Sequence, residues 1–362
     1  MSRISLQQVV DALDADGLLP EDSVGEAATV LSNLSEVQPW YIRTMVGFGA
    51  WLASLLLIAF VSSISFSADG GFAIIGVGFI TGAIFVRRKS ENDFVVQSTL
   101  ACCLAGQAIL AYGIVELTDG DEFQSVLSIV LVISVILFFI FPDRVHRVLT
   151  VMIATSSFSV LLYLWEFNAI VPVLGPAFAT ALVVLYGRQG AFIESGKGHL
   201  IRPLMTGMML SAFGFLLLST VYILPEIDFA AYPRPWISTV LLGALFLYLG
   251  TQLWPQLSGE SSAGAPLFYG LLAVVVVSAW AVPGLLLAMI VVMLGATSGN
   301  RVFIGAGITF LVIFIATYFY GIQVSMLTKS MTLAATGTAV LVARWLILNV
   351  FSDSAEGDES HV

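Results

Sequence analysis

Charge is what this chain lacks most. Only 10% of its 362 residues are Asp, Glu, Lys or Arg, while 58% are hydrophobic; a soluble domain carries about 25% charged residues. So much apolar surface has no hiding place in a water-soluble globular fold. Cysteine is nearly absent: Cys102 and Cys103 are the two, adjacent in an apolar run. Neighbouring helical positions point in different directions, which argues against a disulfide framework or a metal site built on them. Three histidines, His146, His199 and His361, read as lying in loops or the tail, with no second His or Cys at ligand spacing. The GxSxG, HExxH and GxxxxGK[ST] patterns do not occur. Serines inside apolar runs, such as Ser156, Ser157 and Ser159, have no membrane His to activate them. No catalytic, cofactor-binding or metal-binding residue is assigned, no cofactor is called for, and the chain is expected not to be an enzyme.

A cleavable signal is also missing from the pattern, because the first 40 residues are acidic and hold no apolar h-region. The first apolar run is therefore expected to act as an uncleaved insertion signal. Of the net charge of −10, residues 1–42 hold −6, with seven acids against Arg3, and the tail 352–362 holds −4. Acidic ends argue against nucleic acid and against docking on anionic headgroups, both of which need Lys/Arg clusters. Residues 5–36 read as two short amphipathic helices, with Leu6, Val9, Val10 and Leu13 on the face of one and Val24, Ala27, Ala28, Leu31 and Leu34 on the other. Such a pair is too small to bury its own core. Residues 1–42 are thus an acidic cytoplasmic helical pair, 43–351 a transmembrane bundle, and 352–362 an acidic, disordered tail.

Apolar runs fill everything between the ends. Twelve spans are expected: 44–66, 71–86, 94–115, 123–141, 148–165, 169–186, 201–224, 236–254, 266–282, 284–298, 302–320 and 330–351. Most reach about 30 Å at ~1.5 Å per residue, enough to cross a hydrocarbon layer. The runs 71–86, 266–282 and 284–298 are the weakest; they must thin the bilayer or sit inside the bundle, and the last two could instead form a re-entrant hairpin. With the N-terminus in the cytoplasm, twelve of the fourteen Lys and Arg fall inside and only Arg234 and Lys329 fall outside. The positive-inside rule selects that orientation, with both termini cytoplasmic. Small residues at Gly78 and Gly82, and at Ala335, Ala339 and Ala343, are expected to pack helices closely.

A Gly299-Asn300-Arg301 turn, an aromatic-rich run ending in Tyr318-Phe319-Tyr320, then Leu327-Thr328-Lys329-Ser330, a small-residue run and a terminal Ala343-Arg344-Trp345 resemble the close of the bacterial domain-of-unknown-function 4401 family. Pro39-Trp40-Tyr41-Ile42-Arg43 and the following GFGAWLASLLLIAF are similar to that family's approach to its first membrane helix. The resemblance implies a polytopic protein of the bacterial inner membrane and carries no biochemical activity with it.

Ionisable groups inside a bilayer are costly and are functional suspects by default. Arg344 lies far enough from Lys329 to snorkel toward the cytoplasmic edge. Lys329 is one of two cations on an otherwise acidic outer face, where Glu116 or Glu166 would pair with it. These four residues are the candidates for partner or ligand contact. The expected fold is all-α, a membrane helix bundle of about twelve spans. The expected function is that of a non-enzymatic structural or accessory subunit of an envelope complex, embedded in the lipid bilayer and meeting a membrane-protein partner through the acidic N-terminal segment or the outer loops. The alternative is a secondary transporter of a small molecule or lipid, against which stand the unmatched positions of Pro172, Pro176 and Pro283 in the two halves and the lack of membrane-embedded acids.

Overall fold

The computed structural model describes residues 71–90, 92–117, 123–167, 169–220, 235–258, 265–280 and 282–321, with scattered positions between 45 and 60 and between 327 and 338. All regular structure among them is α-helical. The chain divides into two compact units, Met1–Gly113 and Ile114–Val362. Ten of the twelve expected spans fall on described helices. The spans 44–66 and 330–351 lie largely outside the described residues, as do the acidic pair 1–42 and the tail.

In the first unit α1 (Gly71–Lys89) meets α2 (Asp93–Leu117), whose last residues are counted with the second unit. Arg87, Arg88 and Lys89 close α1, where cations suit the negative end of the helix dipole. Asn92 caps α2, its Oδ1 accepting from the Phe94 N–H at 2.9 Å. The two helices approach to backbone contact: a Cβ at Gly76 would lie 2.5 Å from the Leu110 nitrogen, and one at Gly113 would run into Ala73. Gly78 and Gly82, expected to make the close contact, meet nothing within 4 Å among the described residues. The glycine that does the packing sits two residues earlier, on another face of the same helix.

The second unit contains α3 (Phe123–Ile140), α4 (Arg144–Leu164), α5 (Val171–Gly187), the short α6 (Gln189–Glu194), α7 (Gly198–Thr220), α8 (Pro235–Ser258), α9 (Ala265–Ser278), α10 (Pro283–Ser298) and α11 (Arg301–Gly321). Helix α4 begins four residues before the expected span. The reason is a cap: the Asp143 side chain accepts from the His146 N–H at 2.9 Å, which satisfies a donor that the first turn leaves open. His146 is consequently helical and fully buried, a correction to its expected place in a loop.

Six helices among the described residues are long and apolar enough to cross a membrane, and four shorter apolar helices accompany them. Helix α3 makes the point most directly, with a mean hydropathy of 2.7 and only 17% of its apolar window buried inside the molecule. Val132, Val135, Ile136 and Phe139 are exposed on it. In water that face would be untenable; against lipid tails it costs nothing. The chain is a membrane protein.

Helix α10 occupies the centre of the second unit. Leu286, Leu287, Ala288, Ile290 and Val291 are fully buried, with Leu285, Met289 and Met293 partly buried beside them, so most of this all-round apolar helix is covered. Its neighbours are α5, α7, α8 and α11. At 16 residues it is about 24 Å long, short for a lipid-facing span but sufficient inside a bundle. Helix α9 runs antiparallel to α8, with Val276 against Gly243, Leu272 against Gly250 and Phe268 beside Trp254 at 5.1 Å. The region 266–298 thus holds two helices, the first against α8 and the second among α5, α7, α8 and α11.

Helix ends gather in two sets. At one, the Ser238 hydroxyl donates to the Pro172 carbonyl and the Thr239 hydroxyl donates to the Trp280 carbonyl at 3.0 Å. Pro172 and Pro283 open α5 and α10 instead of interrupting helices, a place where the missing N–H does no harm. At the other set lie the starts of α4, α7 and α11.

Candidate functional site

The turn between α10 and α11 shows how local chemistry builds the second set of ends. Gly299 adopts φ 63°. The Asn300 N–H reaches back to the Gly295 carbonyl at 2.9 Å and the Gly299 N–H to that of Ala296 at 3.3 Å, the Schellman arrangement that a left-handed glycine permits. Asn300 then starts the next helix, its Oδ1 accepting from the Val302 N–H at 3.0 Å. Glycine, asparagine and arginine thus follow one another as helix stop, helix cap and first helical residue.

Beside this turn opens a cleft of about 350 Å³. Arg144 of α4, Arg202 of α7, Gln189 of α6 and Asn300 supply most of its polar lining, together with the hydroxyls of Thr206 and Ser298. Tyr186 closes one side, its hydroxyl 3.3 Å from that of Thr297. Met205 and Phe303, both buried, also line it. No carboxylate among the described residues belongs to the lining.

A third arginine stands nearby in a different role. Arg147, three residues after Arg144, is buried; its Nε donates to the Phe138 carbonyl at 3.1 Å and an Nη to the His199 carbonyl at 3.4 Å. One side chain thereby satisfies an open carbonyl at the end of α3 and ties it to the start of α7. The His146 ring stacks on Phe141 at 4.1 Å. This junction holds α4 and α7 in the register that sets Arg144 and Arg202 on the same cleft.

A second cavity, in the first unit, is a shallow apolar groove of about 620 Å³ between α1 and α2, lined by Ile75, Phe79, Val86 and Val95 and passing Gly78 and Gly82. Ser98 and Thr99 are its polar members besides Cys102, so among the described residues it offers no convergent set of hydrogen-bonding groups. Cys103 is fully buried and Cys102 half-buried.

Of the four expected contact residues, Glu116 is exposed at the end of α2 and Glu166 is exposed just past α4. Neither lines the cleft or the groove. Lys329 and Arg344 lie outside the described residues. Sequence reasoning counted Arg144 and Arg202 only as cytoplasmic-side charge and missed their meeting. The signal was that both, with Asn300, fall at helix ends assigned to the same side.

The family model described as Domain of unknown function (DUF4401) matches residues 39–350. The chain matches no curated protein and no solved structure. With the match running from the Pro39-Trp40-Tyr41 approach to the last apolar run, the chain belongs to the DUF4401 family.

Proposed function

We propose that this protein is a non-enzymatic accessory subunit of a bacterial inner-membrane complex, with about twelve membrane passes and both termini in the cytoplasm. The filled centre of the second unit carries this reading. Where an inverted-repeat carrier keeps a solute site at mid-depth between broken helices, this unit holds the fully buried Leu286, Leu287, Ile290 and Val291 of α10 and Phe213, stacked on Phe310 at 4.0 Å. Orientation is supported by charge: Arg144, Arg147, Arg188, Lys197, Arg202 and Arg301 of the second unit, and separately Arg87, Arg88 and Lys89 of the first, fall at or beside helix ends that the positive-inside rule assigns to the cytoplasm. The passes of α9 and α10 beside α8 support a count that includes both. Docking on a partner falls to the acidic residues 1–42 and the acidic outer loops, which suit a basic surface.

Gentle detergent extraction of the tagged protein from its native membrane, with mass spectrometry and size measurement of what accompanies it, tests the proposal. A stoichiometric membrane partner, lost when Asp11, Asp14 and Asp16 are changed to Lys, is the expected result. A lone chain that drives saturable solute uptake in proteoliposomes would replace the subunit reading with a carrier.

A further inference from the structure

The geometry points to the cleft between Arg144 and Arg202 as a binding site for a phosphate-bearing anion. The two guanidiniums come from α4 and α7, which pack against each other, and they line a cleft whose described residues contribute two positive charges and no negative one. Both arginines are exposed, so neither gave up its hydration to reach this place, and neither is in an ion pair among the described residues. Arg147 supplies the contrast within the same helix. Its N–H groups are used on the Phe138 and His199 carbonyls, whereas those of Arg144 and Arg202 have no partner among the described residues and are open to a ligand.

Donor bookkeeping narrows the ligand. Each guanidinium presents five N–H donors in a planar fork that fits two oxygens of a phosphate. The Asn300 Oδ1 already accepts from Val302 at 3.0 Å, which leaves its Nδ2 hydrogens, and Gln189 adds an amide of its own. The hydroxyls of Thr206 and Ser298 donate to the carbonyls of Arg202 at 3.0 Å and Leu294 at 2.7 Å; they offer a ligand lone pairs, not protons. Two forks and two amides exceed what a single carboxylate accepts and suit a tetrahedral group with three or four oxygens. Buried Met205 and Phe303 give a small organic moiety an apolar wall. At about 350 Å³ the cleft is near the small end of ligand sites, which run from about 300 to 1,000 Å³. A phosphomonoester or a phospholipid headgroup fits that size. The site stands independently of the subunit reading, and its binding chemistry holds on either side of the membrane.

The full-length protein, in nanodiscs of phosphatidylcholine alone, is titrated with inorganic pyrophosphate by calorimetry. In parallel, phosphatidylglycerol retained from mixed nanodiscs is counted by native mass spectrometry. Arg144→Gln, Arg202→Gln and their combination are compared with Arg88→Gln, an exposed cation on α1 outside the cleft, each checked for an unchanged melting temperature. Loss of about tenfold in pyrophosphate affinity per cleft arginine, with Arg88→Gln unaltered, establishes the site for a soluble phosphate compound. Loss of retained phosphatidylglycerol in the same variants alone establishes it for a headgroup. Should the double variant fail to fold, the single ones carry the same comparison. Wild-type behaviour of the cleft variants with both probes, or an equal loss in Arg88→Gln, overturns the proposal.

Discussion

Glu166, singled out in the sequence for its charge, also has a backbone conformation that bears on stability. Its φ is 62°, the left-handed region that costs a residue with a Cβ about 1–2 kcal/mol. The cause is the end of α4: the Phe167 N–H reaches the Leu162 carbonyl at 3.0 Å and the Glu166 N–H that of Tyr163 at 3.0 Å, the same arrangement that Gly299 makes after α10 and Gly196, at φ 75°, makes after α6. Two of these three helix ends use glycine and one uses glutamate. Glu166→Gly is therefore expected to stabilise the protein by roughly 0.5–1 kcal/mol, the relief of strain less the added freedom of the unfolded chain. Glu166→Val is expected to destabilise it by about 1 kcal/mol, since a β-branched side chain fits that conformation worst. Reversible unfolding in mixed micelles measures both. A Glu166→Gln variant that shifted stability as much as Glu166→Val would assign the effect to charge and sink the backbone account.

At the scale of the element, α10 is where local pattern and tertiary fate diverge. Its short apolar run, opened by Pro283-Gly284, is legible as a helix that is weak for crossing lipid alone. That α10 forms the core of its unit is not legible, because the covering helices come from residues 171–258 and 301–321. Gly284 shows the consequence. A Cβ there would run into the ring of Phe314, which is itself fully buried and 6.2 Å from Phe213. With neighbours packed at crystal-like density the ring has nowhere to go, so Gly284→Ala is expected to cost about 1–3 kcal/mol. Adding Phe314→Leu removes the obstructing ring carbons and is expected to recover part of that loss. Additive losses in the double variant, measured by the same unfolding assay, would place the damage elsewhere. The start of α4 was missed for a related reason: hydropathy reads Arg144, His146 and Arg147 as loop, whereas Asp143 caps the turn and Arg147 satisfies backbone carbonyls, so the helix extends through them.

For the whole molecule, composition settles the class, and positive charge predicts which helix ends lie together; distances among side chains require the fold. Arg144, Arg202 and Asn300 are far apart in the chain and meet only because α4, α7 and α11 begin at the same end of the second unit. Their common end also makes the proposed orientation testable at two exposed positions. On a background in which Cys102 is changed to Ser and Cys103 to Ala, Ala169→Cys, between α4 and α5, and Ser195→Cys, just past α6, are both exposed. A membrane-impermeant maleimide applied to spheroplasts is expected to label Ala169→Cys at once and Ser195→Cys only after permeabilisation. The reverse result would turn the cleft outward and bring the six described Lys and Arg of the second unit with it, against the rule that holds cations on the cytoplasmic side. Labelling of both without permeabilisation would mean that α5 does not cross between them, which its place against the buried α10 makes the least compatible outcome with the packing of the second unit.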